Sequence, residues 1–165
     1  MHFEEAQRIK EKIEVLENYQ AKSTIINPKI SNVDVFSIVS DESYGYINFL
    51  QISYGSIIRS HTLEIKKKLD ETDKELLELS IIELRARFNS NSNEIYVPFK
   101  VNVGEDIKVS LPQLGDKRKI LDLSIRNAKY YRMERFKQVK ITDPDRHVNR
   151  IMAQMQKDLR LSEEP

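Results

Sequence analysis

The chain has 165 residues, 32% of them charged and 39% hydrophobic, with few glycines and prolines, the make-up of one helix-rich globular unit with an ordinary core. It contains no cysteine, which excludes disulfides, thiolate metal sites and thiol nucleophiles. The formal net charge of +1 conceals a gradient, because residues 1–114 hold 14 Lys/Arg against 18 Asp/Glu whereas residues 115–160 hold 13 against 6. No apolar run approaches the roughly 20 residues of a membrane span, and the N-terminal stretch is acidic and polar where a signal peptide is basic and then apolar. The expected location is the cytoplasm.

Residues 1–22 read as a helix. Phe3, Ala6, Ile9, Ile13 and Leu16 form an apolar stripe at helical spacing, and the opposite face alternates Glu with Lys and Arg. A lone helix of this length is marginal in water, so the stripe must dock, either on its own domain or on a partner. Residues 23–32 read as a linker, where Asn27-Pro28 interrupts any helix.

From Val33 the period changes to two. Val33–Val39, Tyr46–Ile52 and Ser56–Leu63 are β-rich runs separated by turns that carry Gly45 and Gly55, which predicts an antiparallel meander. Thr72-Asp-Lys-Glu75 fits a capping box, and Leu77, Ile81, Leu84 and Phe88 give the helix behind it a core stripe that ends at Asn89-Ser-Asn-Ser-Asn93. Glu94–Pro98 and Ile107–Leu111 are short strands, each beside a helix, as strands of a partly parallel sheet are.

Pro112 and Gly115 then punctuate a turn, Asp116 is placed to cap the next helix, and Lys117–Lys137 is that helix. Leu121, Ser124, Ile125, Ala128 and Tyr131 fall on one side of it, with Arg118, Lys119, Arg126, Lys129 and Lys137 on another. Residues 138–165 read as a helical connector whose last helix starts at Asp143-Pro144. The order β-β-β-α-β-β-α over residues 33–137 resembles that of a ribonuclease-H-like α/β fold with a mixed sheet, which predicts such a domain flanked here by an N-terminal and a C-terminal helix.

Chemistry is hard to find on this frame. A two-metal nuclease of this fold needs carboxylates converging from the middle of the first strand, the first helix and the end of the fourth strand. The corresponding residues are Phe36-Ser37-Ile38 and Val97-Pro98-Phe99 in the strands. Asp34 and Asp41, at the two ends of the first strand, and Glu75, Glu78 and Glu83 on the helix read as cap, turn and solvated-face residues. His2, His61 and His147 share no metal-ligand spacing, the glycines form no phosphate-binding loop and no serine sits in a nucleophile elbow. No catalytic residue, metal site or cofactor is expected. Lys117, Arg118, Lys119, Arg126, Lys129 and Arg132, interleaved further on with Tyr130, Tyr131 and Phe136, are candidates for phosphate contact or simply the solvated side of a packed helix.

Phe3-Glu4, Ala6, Ile9-Lys10, Ile13 and Leu16-Glu17 resemble the second half of the UVR motif. Pro112-x-x-Gly-Asp-Lys-Arg, followed by Leu121 and Asn127-Ala128, resembles a segment of the UvrC family of bacterial excinucleases, as does the ending Leu159-Arg-Leu-Ser-Glu-Glu-Pro165. The hairpin Ser53-Tyr-Gly-Ser56 departs from that family, which usually has an arginine and a second glycine there. The resemblance implies an internal fragment comprising half of the UVR hairpin and an inactive ribonuclease-H-like domain, lying between a GIY-YIG nuclease and a second, active nuclease domain. It further implies a role in nucleotide excision repair, with the UvrB subunit as partner of Phe3, Ala6, Ile9, Ile13 and Leu16 and damaged DNA bound in the full complex. Self-association through the same helix and a stand-alone nucleic-acid-binding module are the other readings of these surfaces. A nuclease using the acids set aside above is the catalytic rival.

Overall fold

A computed structural model describes residues 3–12 and 27–142 of the protein. Residues 3–12 form a helix, α1, all of whose residues are exposed. The strands are β1 (Val33–Ser40), β2 (Tyr44–Ser53), β3 (Ser56–Lys66), β4 (Glu94–Tyr96) and β5 (Lys108–Ser110), and the helices of the domain are α2 (Asp73–Arg87) and α3 (Gly115–Thr142). The predicted order β-β-β-α-β-β-α is observed, in one five-stranded sheet ordered β3-β2-β1-β4-β5. β1 to β3 are an antiparallel meander, while β4 lies parallel to β1 and β5 parallel to β4.

The local chemistry explains the joints. Tyr54 and Gly55 both have positive φ (49° and 74°) and link Ser53 to its partner Ser56 as a two-residue hairpin, a turn whose left-handed backbone matches strand twist. Gly55 is required twice over, since a Cβ there would also lie 2.7 Å from the Asn27 carbonyl. The capping box forms as predicted, with the Glu75 amide donating to Thr72 Oγ1 at 3.3 Å and the Thr72 amide to Glu75 Oε2 at 2.8 Å. The Thr72 amide and hydroxyl both donate to Glu75 Oε2 and hold that carboxyl below its usual range. α2 ends in a Schellman motif: the amides of Asn89 (φ 50°) and Ser90 return to the carbonyls of Ala86 and Arg85. α3 starts one residue before the predicted cap, at Gly115 with φ 76°, so Asp116 sits inside the first turn, where its charge still favours the helix dipole. α3 also runs past Lys137, and the helix predicted from Asp143 lies outside the described residues.

Period two sends alternate residues to opposite faces. Phe36, Ile38, Ile47 and Phe49 pack with Leu76, Leu77, Ile81 and Leu84 of α2. Val33, Val35, Leu50, Ile52 and Tyr96 pack with Ile120 and Leu121 of α3. Helices therefore cover both faces, and the domain holds two apolar cores separated by the sheet.

Candidate functional site

The position of greatest interest in this fold is the middle of β1. There Phe36 faces α2, stacked on Phe49 at 4.9 Å between ring centroids. Ser37 faces α3 and is fully buried. Ser37 pairs with Asn48 across the ladder, and Asn48 with Thr62, so one register row carries three polar side chains. Ser124 of α3 closes the row: its hydroxyl lies 2.7 Å from Ser37 Oγ and donates to Asn48 Oδ1 at 2.9 Å, while Asn48 Nδ2 donates to Thr62 Oγ1 at 2.7 Å. Buried hydroxyls and amide are thus satisfied by one another with no charge present. The inner face of α2 offers Leu76, Leu77, Ser80, Ile81 and Leu84, and β4 ends in Tyr96 followed by Val97. Among the described residues no three Asp, Glu or His side chains converge as metal ligands.

One carboxylate departs from the sequence reading. Asp34, expected as an end-of-strand turn residue, is completely buried. Arg85 of α2 donates to its Oδ2, Ser90 Oγ donates to the same oxygen at 2.7 Å and Ser92 Oγ to Oδ1 at 3.0 Å. Arg85 also donates to the Ser92 carbonyl at 2.7 Å. Burial pushes the Asp34 carboxyl above its usual range even though the serines and Arg85 pull it down. The group ties the end of α2 and the loop after it to β1. Only the fold reveals it, because Arg85 and Asp34 stand 51 positions apart. Asp41 and Glu83 match the reading, since Asp41 Oδ1 accepts the amides of Ser43 and Tyr44 in a turn and Glu83 is exposed on α2. Glu78 instead is half-buried and accepts the Asn102 amide at 2.7 Å, tying α2 to the loop after β4.

The basic candidates on α3 fall into two groups. Lys117, Arg118 and Lys119 are engaged locally, with Glu94 (3.3 Å), Asp122 (2.9 Å) and Asp116 (3.6 Å) respectively. Lys117 also lies over the Tyr96 ring at 5.1 Å. Burial would lower its pKa, but Tyr96 and Glu94 outweigh burial and raise it. Arg126 and Lys129 are exposed, pair with no carboxylate among the described residues, and line a shallow groove with Lys119, Asp122 and Ile125. Arg132 is half-buried and reaches the Ser40 carbonyl at 3.5 Å. The inner side packs as the wheel predicts, with Leu121, Ser124 and Ala128 fully buried. Tyr130 is half exposed and Tyr131 leans on Tyr46 at 6.2 Å.

On α1, Phe3 and Ile9 are 89% and 58% exposed and Ala6 is exposed with them. Ile13 and Leu16, the other residues of that stripe, lie outside the described residues.

A mixed five-stranded sheet with a β-meander, two further strands added in parallel beside β1 and helices on both faces defines the ribonuclease-H-like class. The sequence pattern described as "UvrC Ribonuclease H-like domain" matches residues 32–135. The chain belongs to the UvrC family. Among its relatives, over the whole chain, are the UvrABC system protein C of Christiangramia forsetii (73% identical), of Flavobacterium psychrophilum (76%) and of Bacteroides fragilis (45%). The chain spans 28% of the length of each of these relatives.

Proposed function

We propose that this chain is the non-catalytic central module of the UvrC component of the UvrABC nucleotide excision repair endonuclease. It offers α1 to UvrB and positions the nuclease domains of the longer protein on damaged DNA in the cytoplasm. The observation that carries this reading is the neutral, fully satisfied middle of the sheet. Where a two-metal nuclease needs converging carboxylates, the α2 side of the sheet carries Phe36, Val97 and the apolar inner face of α2, and the α3 side carries Ser37 and Tyr96. Incubating the chain with magnesium or manganese and a supercoiled plasmid tests it: no nicking above a metal-free control is expected, and metal-dependent nicking overturns the reading.

Partner binding rests on the exposed Phe3, Ala6 and Ile9, which stand as anchors without a covering surface among the described residues. Phe3→Ala with Ile9→Asp in the full-length protein is expected to weaken UvrB association at least about tenfold, as loss of two buried anchors does. Unchanged association removes α1 from the interface. A second reading, nucleic-acid binding along α3, is favoured by the exposed Arg126 and Lys129, which pair with no carboxylate among the described residues. Neutralising both should then reduce the salt dependence of DNA binding by about one per cation.

A further inference from the structure

The Asn89-Ser-Asn-Ser-Asn93 loop and the two arginines beside it have no part in the surfaces above. Along this loop burial alternates: Asn89, Asn91 and Asn93 are exposed, Ser90 is half-buried and Ser92 is buried. Ser90 and Ser92 turn inward and donate to the buried Asp34 carboxylate, and the loop starts from the Schellman hydrogen bonds of α2. The three asparagine side chains project outward from this fixed backbone and make no hydrogen bond among the described residues.

Arg59 of β3 and Arg87 of α2 flank the loop and converge on one ring. Their guanidinium carbons lie 4.6 Å and 5.8 Å from the centroid of Phe88. Phe88 is itself held from beneath by Phe49 at 5.6 Å and at its edge by His61 at 5.2 Å. The two cations are therefore within about 10 Å of each other, close to the screening length at physiological salt, so their fields add. Both are exposed. Arg85, Arg118 and Arg135 each pair with a carboxylate, whereas Arg59 and Arg87 pair with none among the described residues. Arg59 spends one donor on the Phe88 carbonyl at 3.4 Å, which offsets the negative end of α2 and leaves its other donors facing outward. His61 reports the same local field: burial lowers its pKa first, and Arg87 lowers it further.

We infer that Arg59, Arg87 and the exposed asparagines of the 89–93 loop form a docking surface for the phosphodiester backbone of DNA, on the sheet face opposite α3. Arginine forks supply charge and bidentate geometry for phosphate, and the exposed side-chain amides, carried on a backbone that Ser90 and Ser92 tie down, supply neutral donors. These groups come from a helix end, a strand and a loop rather than from one helix or ribbon that could enter a groove, so recognition is of backbone and independent of sequence.

Fluorescence anisotropy of the whole chain with a labelled duplex, over a series of salt concentrations, tests the surface. Arg59→Gln with Arg87→Gln is expected to weaken binding at least about tenfold and to lower the log–log salt slope by about two, one for each phosphate no longer neutralised. Because Arg59 also packs on Phe88, the charge-retaining pair Arg59→Lys and Arg87→Lys should recover most of the affinity. Asn91→Asp, which touches no packing, should weaken binding several-fold. The His61 and Phe88 ring resonances should shift on adding duplex, and those shifts should survive neutralisation of Arg126 and Lys129. Wild-type affinity and slope in the Gln pair overturn the proposal. So does poly-aspartate binding as tightly as duplex at matched charge, since the partner is then an acidic protein.

Discussion

Two neighbouring register rows cross the same three strands and do opposite things. Phe36, Phe49 and His61 face α2 as an aromatic row continued by Phe88, whereas Ser37, Asn48 and Thr62, each beside one of them in sequence, face α3 as a polar row closed by Ser124. On the α2 side the one buried acid among the described residues, Asp34, is moved to the end of β1 and given a cation and two hydroxyls. On the α3 side the polar groups stand at the centre and carry no charge. An ion site needs central charge, and this sheet keeps charge peripheral and its centre neutral. A central carboxylate should therefore be intolerable here while a peripheral one is essential.

Introducing that carboxylate breaks the comparison most severely. Ser37→Asp places a charge or a strained neutral acid in a fully buried row with no cation, and unfolding in urea should show a loss upwards of about 4 kcal/mol. Millimolar magnesium should not raise the melting temperature of the variant, because among the described residues no further carboxylate faces position 37. A magnesium-dependent rise would expose a latent metal site and revive the catalytic reading.

Arg85→Ala comes next. It leaves the Asp34 carboxylate buried beside two serines only, and loss of one partner of a buried pair costs about 3–5 kcal/mol. The same variant should loosen residues 89–93, seen as faster amide exchange at Ser90 and Ser92, since Arg85 also holds the Ser92 carbonyl. A change below about 1 kcal/mol would mean that Asp34 is neutral in the folded protein and the arginine dispensable.

Ser124→Ala should cost about 1–3 kcal/mol, because Ser37 Oγ and Asn48 Oδ1 each lose a buried partner. Adding Ser37→Ala removes one of those stranded groups, so the double variant should fall short of the sum of the singles. Strict additivity would show that the row is not a connected network.

These two rows also mark where sequence reading stops. The element order, the capping box at Thr72 and the packed side of α3 follow from short-range patterns: period two, a four-residue cap and a helical stripe. The same patterns put Ser37 in the middle of β1 and an acid nowhere near it. They could not reveal that Ser37 meets Ser124, 87 positions away, since a serine in a strand and a serine in a helix are each locally unremarked. Asp34 was equally opaque, because a carboxylate at a strand end is ordinarily a solvated turn residue, and only α2 crossing the sheet brings Arg85 over it. At Lys117, Arg118 and Lys119 the charge count overstated the free positive face. Each cation has a carboxylate nearby, at Glu94, Asp122 and Asp116, and only Glu94 is distant in sequence.

The smallest effect distinguishes two carboxylates by the sign of their pH dependence. Burial raises Asp34, so between the ordinary carboxylate pKa and its folded value the native state keeps a proton that the unfolded chain has released. Its contribution to stability therefore falls as pH rises through that window and is level above it. Glu94 behaves oppositely. Burial raises it too, but Ser110 Oγ at 2.6 Å with Lys117 and Lys108 outweighs burial and holds it below its usual range. Its stabilisation is complete above the unfolded pKa and is lost as pH falls through the folded one. Both lysines are well exposed, so solvent screening keeps the Glu94 term within about 1 kcal/mol. Urea midpoints measured across the acidic range should accordingly lose their rising limb in Glu94→Gln and their falling limb in Asp34→Asn, the latter on a lower baseline because Arg85 is left without its anion. Parallel profiles in the two variants would mean that Asp34, too, is held ionised by its partners, and that peripheral charge is tolerated here on the same terms as exposed charge.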